Sequence, residues 1–192
     1  MESWRTKRIS LILPTYNERD SIKNVIESFS ELNIFEEIIV INNNATEGTS
    51  EEVARTNAVE IKEKKQGYGV AILRGFFEAK GELIVVCEPD DTFVSKDVFK
   101  LLAYADSFDI VYGSRTMNDM IWDGANMGWF LRLGNWSVAK LMQVLFNTCS
   151  LTDVGCTYRI IHKKPMLEIL KKAQVSSNFF GPEMMLISIL MK

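Results

Sequence analysis

Leu83-Ile84-Val85-Val86-Cys87-Glu88-Pro89-Asp90-Asp91 is a short all-apolar run that ends in an acidic turn. Five apolar residues with three β-branched residues at the centre fit a strand buried on both faces, which is the habit of a parallel sheet covered by helices. Upstream, Ile72, Leu73, Phe76 and Phe77 recur at helical spacing, and Gly81 marks the helix stop. Downstream, Ser95 is placed to cap a helix with Val98, Phe99, Leu101 and Leu102 on its inner side.

The same unit repeats in both directions. Residues 8–13 read as a strand closed by Pro14, and Ile22, Val25, Ile26 and Phe29 follow as a helix behind caps at Asp20 or Ser21. Residues 37–41 form a second apolar run, followed by the turn-rich 42–48 and a short helix opened by Thr49 or Ser50. A strand at 58–62 and one at 109–112 complete a β/α alternation. That order predicts an α/β fold with an open, mainly parallel sheet, helices on both faces, and a ligand site outside the carboxyl ends of the strands. Past residue 113 come a loop, a long amphipathic helix near 126–147, an extended piece at 157–162 and a helix from Pro165. No repeat and no linker is visible, so residues 1–192 read as one domain, with 116–192 elaborating it on the acceptor side of a donor-binding 1–115. The chain stops within the apolar run 184–191, which predicts that a C-terminal segment is missing.

Composition narrows the function classes. With 192 residues and 47% hydrophobic content the chain supports a substantial core. A net charge of -3 and a pI near 5.4 speak against nucleic acid as a partner, because a phosphate-backbone binder needs a basic face. Cys87, Cys149, Cys156 and the single His162 have no metal-ligand spacing and no disulfide framework. With no signal-peptide-like start, a cytoplasmic location is expected. The apolar stretch 127–146 is interrupted by Arg132, Asn135, Ser137, Lys140 and Gln143, too polar to span a bilayer alone. Its Trp129, Phe130, Leu133, Trp136, Leu141, Leu145 and Phe146 favour packing into the core, with a membrane-facing patch as the alternative.

Chemistry concentrates at the strand ends. Glu88 and Asp90 lie two apart after a strand, so an extended backbone would send both carboxylates to one side, where they share a metal. A hard Mg2+ or Mn2+ held by one or two carboxylates plus phosphates is the usual way to neutralise a nucleotide diphosphate. Spacing alone leaves a second reading open, a solvated acidic turn leading into the next helix.

The surrounding motifs decide between them. Leu11-Ile12-Leu13-Pro14-Thr15-Tyr16-Asn17-Glu18 resembles the opening signature of the family 2 glycosyltransferases of the GT-A fold. Asn42-Asn43-Asn44-Ala45-Thr46-Glu47-Gly48-Thr49 stands where that family carries an Asp-rich turn, Gly67 to Gly75 looks like its glycine-punctuated loop, and Glu88-Pro89-Asp90 like its Asp-x-Asp element. Tyr112-Gly113-Ser114-Arg115, Arg132-Leu133-Gly134-Asn135, Thr152-Asp153 with Cys156-Thr157-Tyr158-Arg159, and Phe179-Phe180-Gly181-Pro182-Glu183 are similar to the branch of polyprenyl- and dolichyl-phosphate sugar transferases.

The resemblance implies an inverting transfer from a nucleotide-sugar. It implies that Pro14, Tyr16 and Glu18 line the nucleotide pocket, with Asn42 and Asn43 near base or ribose. Gly67 and Gly69 would admit the donor to the backbone, with Tyr68 where the family often has Lys. Glu88 and Asp90 would hold the metal, with Asp91 as a substitute ligand. Arg115 and Arg132 would face the donor diphosphate or the acceptor phosphate, and Asp153 would stand near the acceptor nucleophile. A lipid-linked phosphate at the cytoplasmic membrane face is the expected acceptor; a glycan or small hydroxylated acceptor, or a non-catalytic nucleotide-sugar module, are the alternatives. A Rossmann dehydrogenase is disfavoured, because no glycine-rich phosphate loop follows the first strand.

Overall fold

The structure, a computed structural model, describes residues 3–114 and 129–191, with the backbone alone for 129–132. After a single 3-10 turn the order is β1 (Ile9–Thr15), α1 (Arg19–Ser30), β2 (Glu37–Asn42), α2 (Thr49–Val53), β3 (Val59–Lys62), α3 (Tyr68–Glu78) and β4 (Leu83–Val86). A second 3-10 turn, Ser95–Asp97, leads into α4 (Val98–Ala105), β5 (Ile110–Tyr112), α5 (Trp129–Phe146), β6 (Arg159–His162), α6 (Lys163–Lys172) and α7 (Phe180–Leu190).

The six strands lie in the order β3-β2-β1-β4-β6-β5. β3, β2, β1 and β4 are parallel, while β6 runs antiparallel to both β4 and β5. The expected alternation therefore holds through β4, and a strand from the far end of the chain then enters between β4 and β5. Local patterning cannot announce that step, because strand order depends on partners distant in sequence.

Period-two alternation sorts the core into two layers. Ile9, Leu11 and Leu13 of β1 face one side and pack with Ile22, Ile26 and Phe29 of α1 and with Val98 and Leu102 of α4. Ile12 faces the other side, against Ala71, Ile72 and Phe76 of α3, Met166 and Ile169 of α6, and Phe180 and Met184 of α7. Burying side chains of this size contributes about 1.5–3 kcal/mol each, so the central strand is the fold's main organiser.

Four local readings are corrected. Pro14 lies inside β1 instead of closing it; bond directions alternate along the strand, Ile12 O accepts Cys87 N–H at 3.1 Å, and the donor that Pro14 lacks falls on the side where β4 has ended. α1 starts at Arg19 with Glu18 as N-cap, ahead of Asp20 and Ser21. Ser95 makes no side-chain cap; a 3-10 turn introduces α4 instead. α3 ends at Glu78, before Gly81, whose close approach to Ser10 leaves no room for a Cβ.

α5 departs furthest from expectation. Among its described side chains only Ala139 and Met142 are buried, against Val154 and Met185, whereas Leu141 is 58%, Val144 77% and Leu145 66% exposed. The helix is amphipathic, but much of its apolar surface is left uncovered.

Candidate active site

A cleft of about 490 Å³ opens at the carboxyl ends of β1, β2 and β4. Pro14, Tyr16, Glu18, Asn43, Gly67 and Glu88 line it. These six come from four separate stretches of chain, and each was singled out in the sequence.

The turn after β1 is built around Glu18. Its Oε2 accepts the Tyr16 N–H at 2.6 Å, the Asn17 N–H at 2.9 Å and the Thr15 hydroxyl at 3.0 Å. A carboxylate bonded this way is spent on the backbone, and its effect is to hold Tyr16, half exposed, at the rim of the cleft. Glu18 thus shapes the wall.

The three asparagines after β2 act as a clasp. Asn43 Nδ2 donates to Glu63 O at 2.9 Å and Lys65 O at 2.7 Å, and its Oδ1 accepts the Gly67 N–H at 2.8 Å. Asn44 Nδ2 reaches Lys64 O and Gln66 Oε1. Asn42 donates to Glu60 Oε1 at 2.7 Å and accepts from Ala45 N–H at 2.8 Å, outside the cleft lining. An aspartate would have no donor for any of these acceptors, which is the physical reason for amides at 42–44. The clasp fixes the loop that leads to α3.

Gly67 has φ +147°, and a Cβ there would stand 2.2 Å from Ser176 O; at Gly69 it would stand 2.5 Å from Val175 O. The space these glycines leave is filled by the segment before α7, whose Ser177, Asn178 and Phe179 form the opposite wall. Glu183 secures that wall, accepting the N–H groups of Gln174 at 2.9 Å and Val175 at 3.0 Å. Sequence reading missed this wall. The Phe-Phe-Gly-Pro-Glu motif was its one signal, and what Glu183 accepts lies eight and nine residues away.

The acidic turn does not stay extended. β4 ends at Val86, and Asp91 takes a left-handed φ of 60°. Glu88 points into the cleft beside Tyr68, whose phenol is pushed well up by burial and further by the Glu88 charge. Asp90 is exposed and lies outside the lining; its Oδ1 accepts the Thr92 N–H at 3.1 Å and hydroxyl at 2.6 Å, leaving Oδ2 without a protein partner among the described residues. Burial, then the Asp90 and Glu88 charges, push the Cys87 thiol up. No group of three or more His, Cys, Asp or Glu gathers for a metal among the described residues. What the turn does fit is a cation carried largely by substrate phosphates, with one carboxylate in the cleft and one open oxygen nearby.

Asp153 is 3% exposed, and its Oδ1 accepts the Gly155 N–H at 2.8 Å, so it forms the turn that enters β6. Asn135 of α5 packs on Gly155, where a Cβ would stand 2.4 Å from Nδ2. Arg115 and the side chain of Arg132 lie outside the described residues.

Comparison with known proteins gives the family and the fold. Residues 10–170 match the family model for Glycosyl transferase family 2. The low-salt glycan biosynthesis hexosyltransferase Agl6 of Haloferax volcanii is 28% identical over 144 residues, 72% of this chain and 34% of that protein. The dolichol-phosphate mannosyltransferase of Pyrococcus furiosus is 31% identical over 119 residues, 56% of this chain and 33% of its own. The undecaprenyl-phosphate 4-deoxy-4-formamido-L-arabinose transferase of Proteus mirabilis is 21% identical over 189 residues, 91% of this chain and 55% of its own. The chain thus spans about a third to a little over half of these relatives. Among solved structures, Mycobacterium tuberculosis glucosyl-3-phosphoglycerate synthase with Mn2+, UDP-glucose and glycerol 3-phosphate superposes with a TM-score of 0.65 at 19% identity, over 83% of this chain and 58% of that one. The fold is that of the GT-A glycosyltransferases.

Proposed function

The chain belongs to glycosyl transferase family 2, and from that premise we propose that it is the catalytic domain of an inverting, metal-dependent glycosyltransferase. Its donor is a nucleotide-diphosphate sugar and its acceptor a polyprenyl or dolichyl phosphate. The observation that carries the reading is the convergence of Pro14, Tyr16, Asn43, Gly67 and Glu88 on one cleft at the strand ends. The relatives that act on dolichol-phosphate and undecaprenyl-phosphate support the acceptor class.

In this reading the wall shaped by Glu18 and the asparagine clasp receives the nucleotide, with Tyr16 at its mouth. Glu88 and Asp90 would hold the cation, Mg2+ or Mn2+, which would supply positive charge to the departing diphosphate. An oxygen of the acceptor phosphate attacks the anomeric carbon as the bond to the diphosphate breaks, inverting the centre. That oxygen is already ionised at neutral pH, so the protein's task is positioning. Asp153, buried in a tight turn, orients the acceptor, and Arg115 and Arg132 pair with its phosphate or with the donor's.

The uncovered apolar face of α5 suits a membrane surface, where a lipid-linked phosphate is presented. No described helix is long and apolar enough to cross a membrane, and the proposed contact of α5 is with the cytoplasmic face. The test is an incubation of the chain with membranes and labelled UDP- or GDP-sugars in Mn2+. Label entering the lipid fraction is the expected result; label found only on soluble sugars would replace the acceptor, and nucleotide-sugar binding without any turnover would leave a binding module.

A further inference from the structure

Arg159 is the largest fully buried side chain among the described residues, 1% exposed, on the face of β6 that packs against α7. A guanidinium keeps its proton in any protein environment, so a full positive charge sits inside the fold. Its partners are weak for such a charge. Nη2 donates to Cys156 O at 2.6 Å, Nη1 to the Met184 sulfur at 3.3 Å, the Tyr112 ring lies 5.4 Å away, and Nε has no partner among the described residues. No carboxylate pairs with it among the described residues. An uncompensated buried charge is costly, and an apolar side chain would fill the same space between β6 and α7 without that cost.

Its position suggests what the charge is for. Arg159 pairs with Val86, the last residue of β4 and two residues before Glu88. Cys156 and Tyr158 pack in the opposite layer, so Thr157 and Arg159 share the face that carries Tyr68 and α7. Tyr68 lines the cleft and packs in the same layer as Met184, whose sulfur receives Arg159 Nη1. Thr157 Oγ1, also buried, has no hydrogen-bond partner among the described residues. A cation and an unpaired hydroxyl therefore stand in the layer behind the cleft.

We infer that Arg159 is a positioning residue whose buried charge, acting through the Tyr68 wall, favours the anionic diphosphate in the cleft and weakens the hold of the acidic turn on a free metal ion. The cation then arrives with the nucleotide. This rests on the donor chemistry proposed above, and it predicts opposite effects on two ligands of opposite charge, whereas a merely structural lesion weakens both.

The test is calorimetric titration of the full chain, wild type and variants, with Mn2+ alone, with UDP or GDP alone, and with each nucleotide plus Mn2+. In Arg159→Met, Mn2+ alone should bind about tenfold tighter and the metal-free nucleotide about tenfold weaker, the scale of a unit charge acting over several ångströms at an effective dielectric of about 20. Arg159→Lys, which keeps the charge, should stay near wild type in both. Arg159→Gln gives the same contrast if Arg159→Met does not fold. Parallel loss of both affinities, no change in either, or failure of both neutral variants to fold would assign Arg159 to the fold alone and overturn the inference. Wild type that binds no nucleotide even with Mn2+ would sink the proposed function, and this inference with it.

Discussion

At the level of single residues, the site owes its shape to side chains that hold backbone in place. Asn43 donates to two carbonyls and accepts one N–H, so Asn43→Asp removes both donors and sets a carboxylate against carbonyl oxygens. It should cost about 1–3 kcal/mol of stability, read as a lowered unfolding midpoint in denaturant. An unchanged midpoint would show that the clasp is dispensable. Asp90→Ala should abolish metal-dependent transfer while leaving the thermal unfolding temperature near wild type, because Asp90 is exposed and bonded only within its own turn; retained transfer would remove the proposed metal role. Which residues meet at the cleft was more legible in the sequence than how they hold it. Pro14, Tyr16 and Glu88 stand out from motif position alone, whereas the work of Glu18 and the asparagines depends on the 63–67 loop and on φ/ψ choices that no spacing reveals. Tyr68 stood out in the sequence only for replacing a lysine, and its place in the cleft wall beside Glu88 depends on the packing of α3 against α7.

Helices and strands were legible where their partners are close in sequence. The runs at β1, β2 and β4 and the apolar faces of α1 and α3 follow directly from residue periodicity. β6 was recognisable as extended, yet its direction and its seat between β4 and β5 depend on pairings more than seventy residues apart along the β4 side. α5 shows the converse limit, since a patterned apolar surface has the same sequence whether it is covered or bare. Replacing Leu141 and Val144 with glutamate should leave the unfolding temperature within about 0.5 kcal/mol equivalent and strongly reduce co-sedimentation with anionic vesicles. A fall in stability would show instead that this face packs on protein. α3 offers a sharper packing test. A Cβ on Gly75 would stand 2.4 Å from Ile12 Cγ2, so Gly75→Ala should destabilise by about 1–3 kcal/mol through overpacking, with a denaturation curve as the measure.

Across the whole molecule, buried phenols tie stability to alkaline pH. Burial pushes the Tyr112 phenol above its ordinary 10.0 and the Tyr158 phenol far above it, with the Cys87 and Asp97 charges adding to the latter. Below pH 10 both folded and unfolded chains keep these protons. Above it the unfolded chain releases them first, so the folded state loses stability as pH rises further. The unfolding temperature should fall across about pH 10 to 11, and Tyr158→Phe should flatten that slope while losing its 3.2 Å hydrogen bond to Ser95 O. The insertion of β6 also bears on the order of synthesis. A ribosome delivers β1 to β5 first, leaving β4 with an unpaired edge until residues 159–162 emerge. A bare edge is where strands of neighbouring nascent chains meet. Chains halted before residue 159 should aggregate more than the full chain, so the strand that brings Arg159 behind the cleft also acts as the molecule's own late-arriving guard against misassembly.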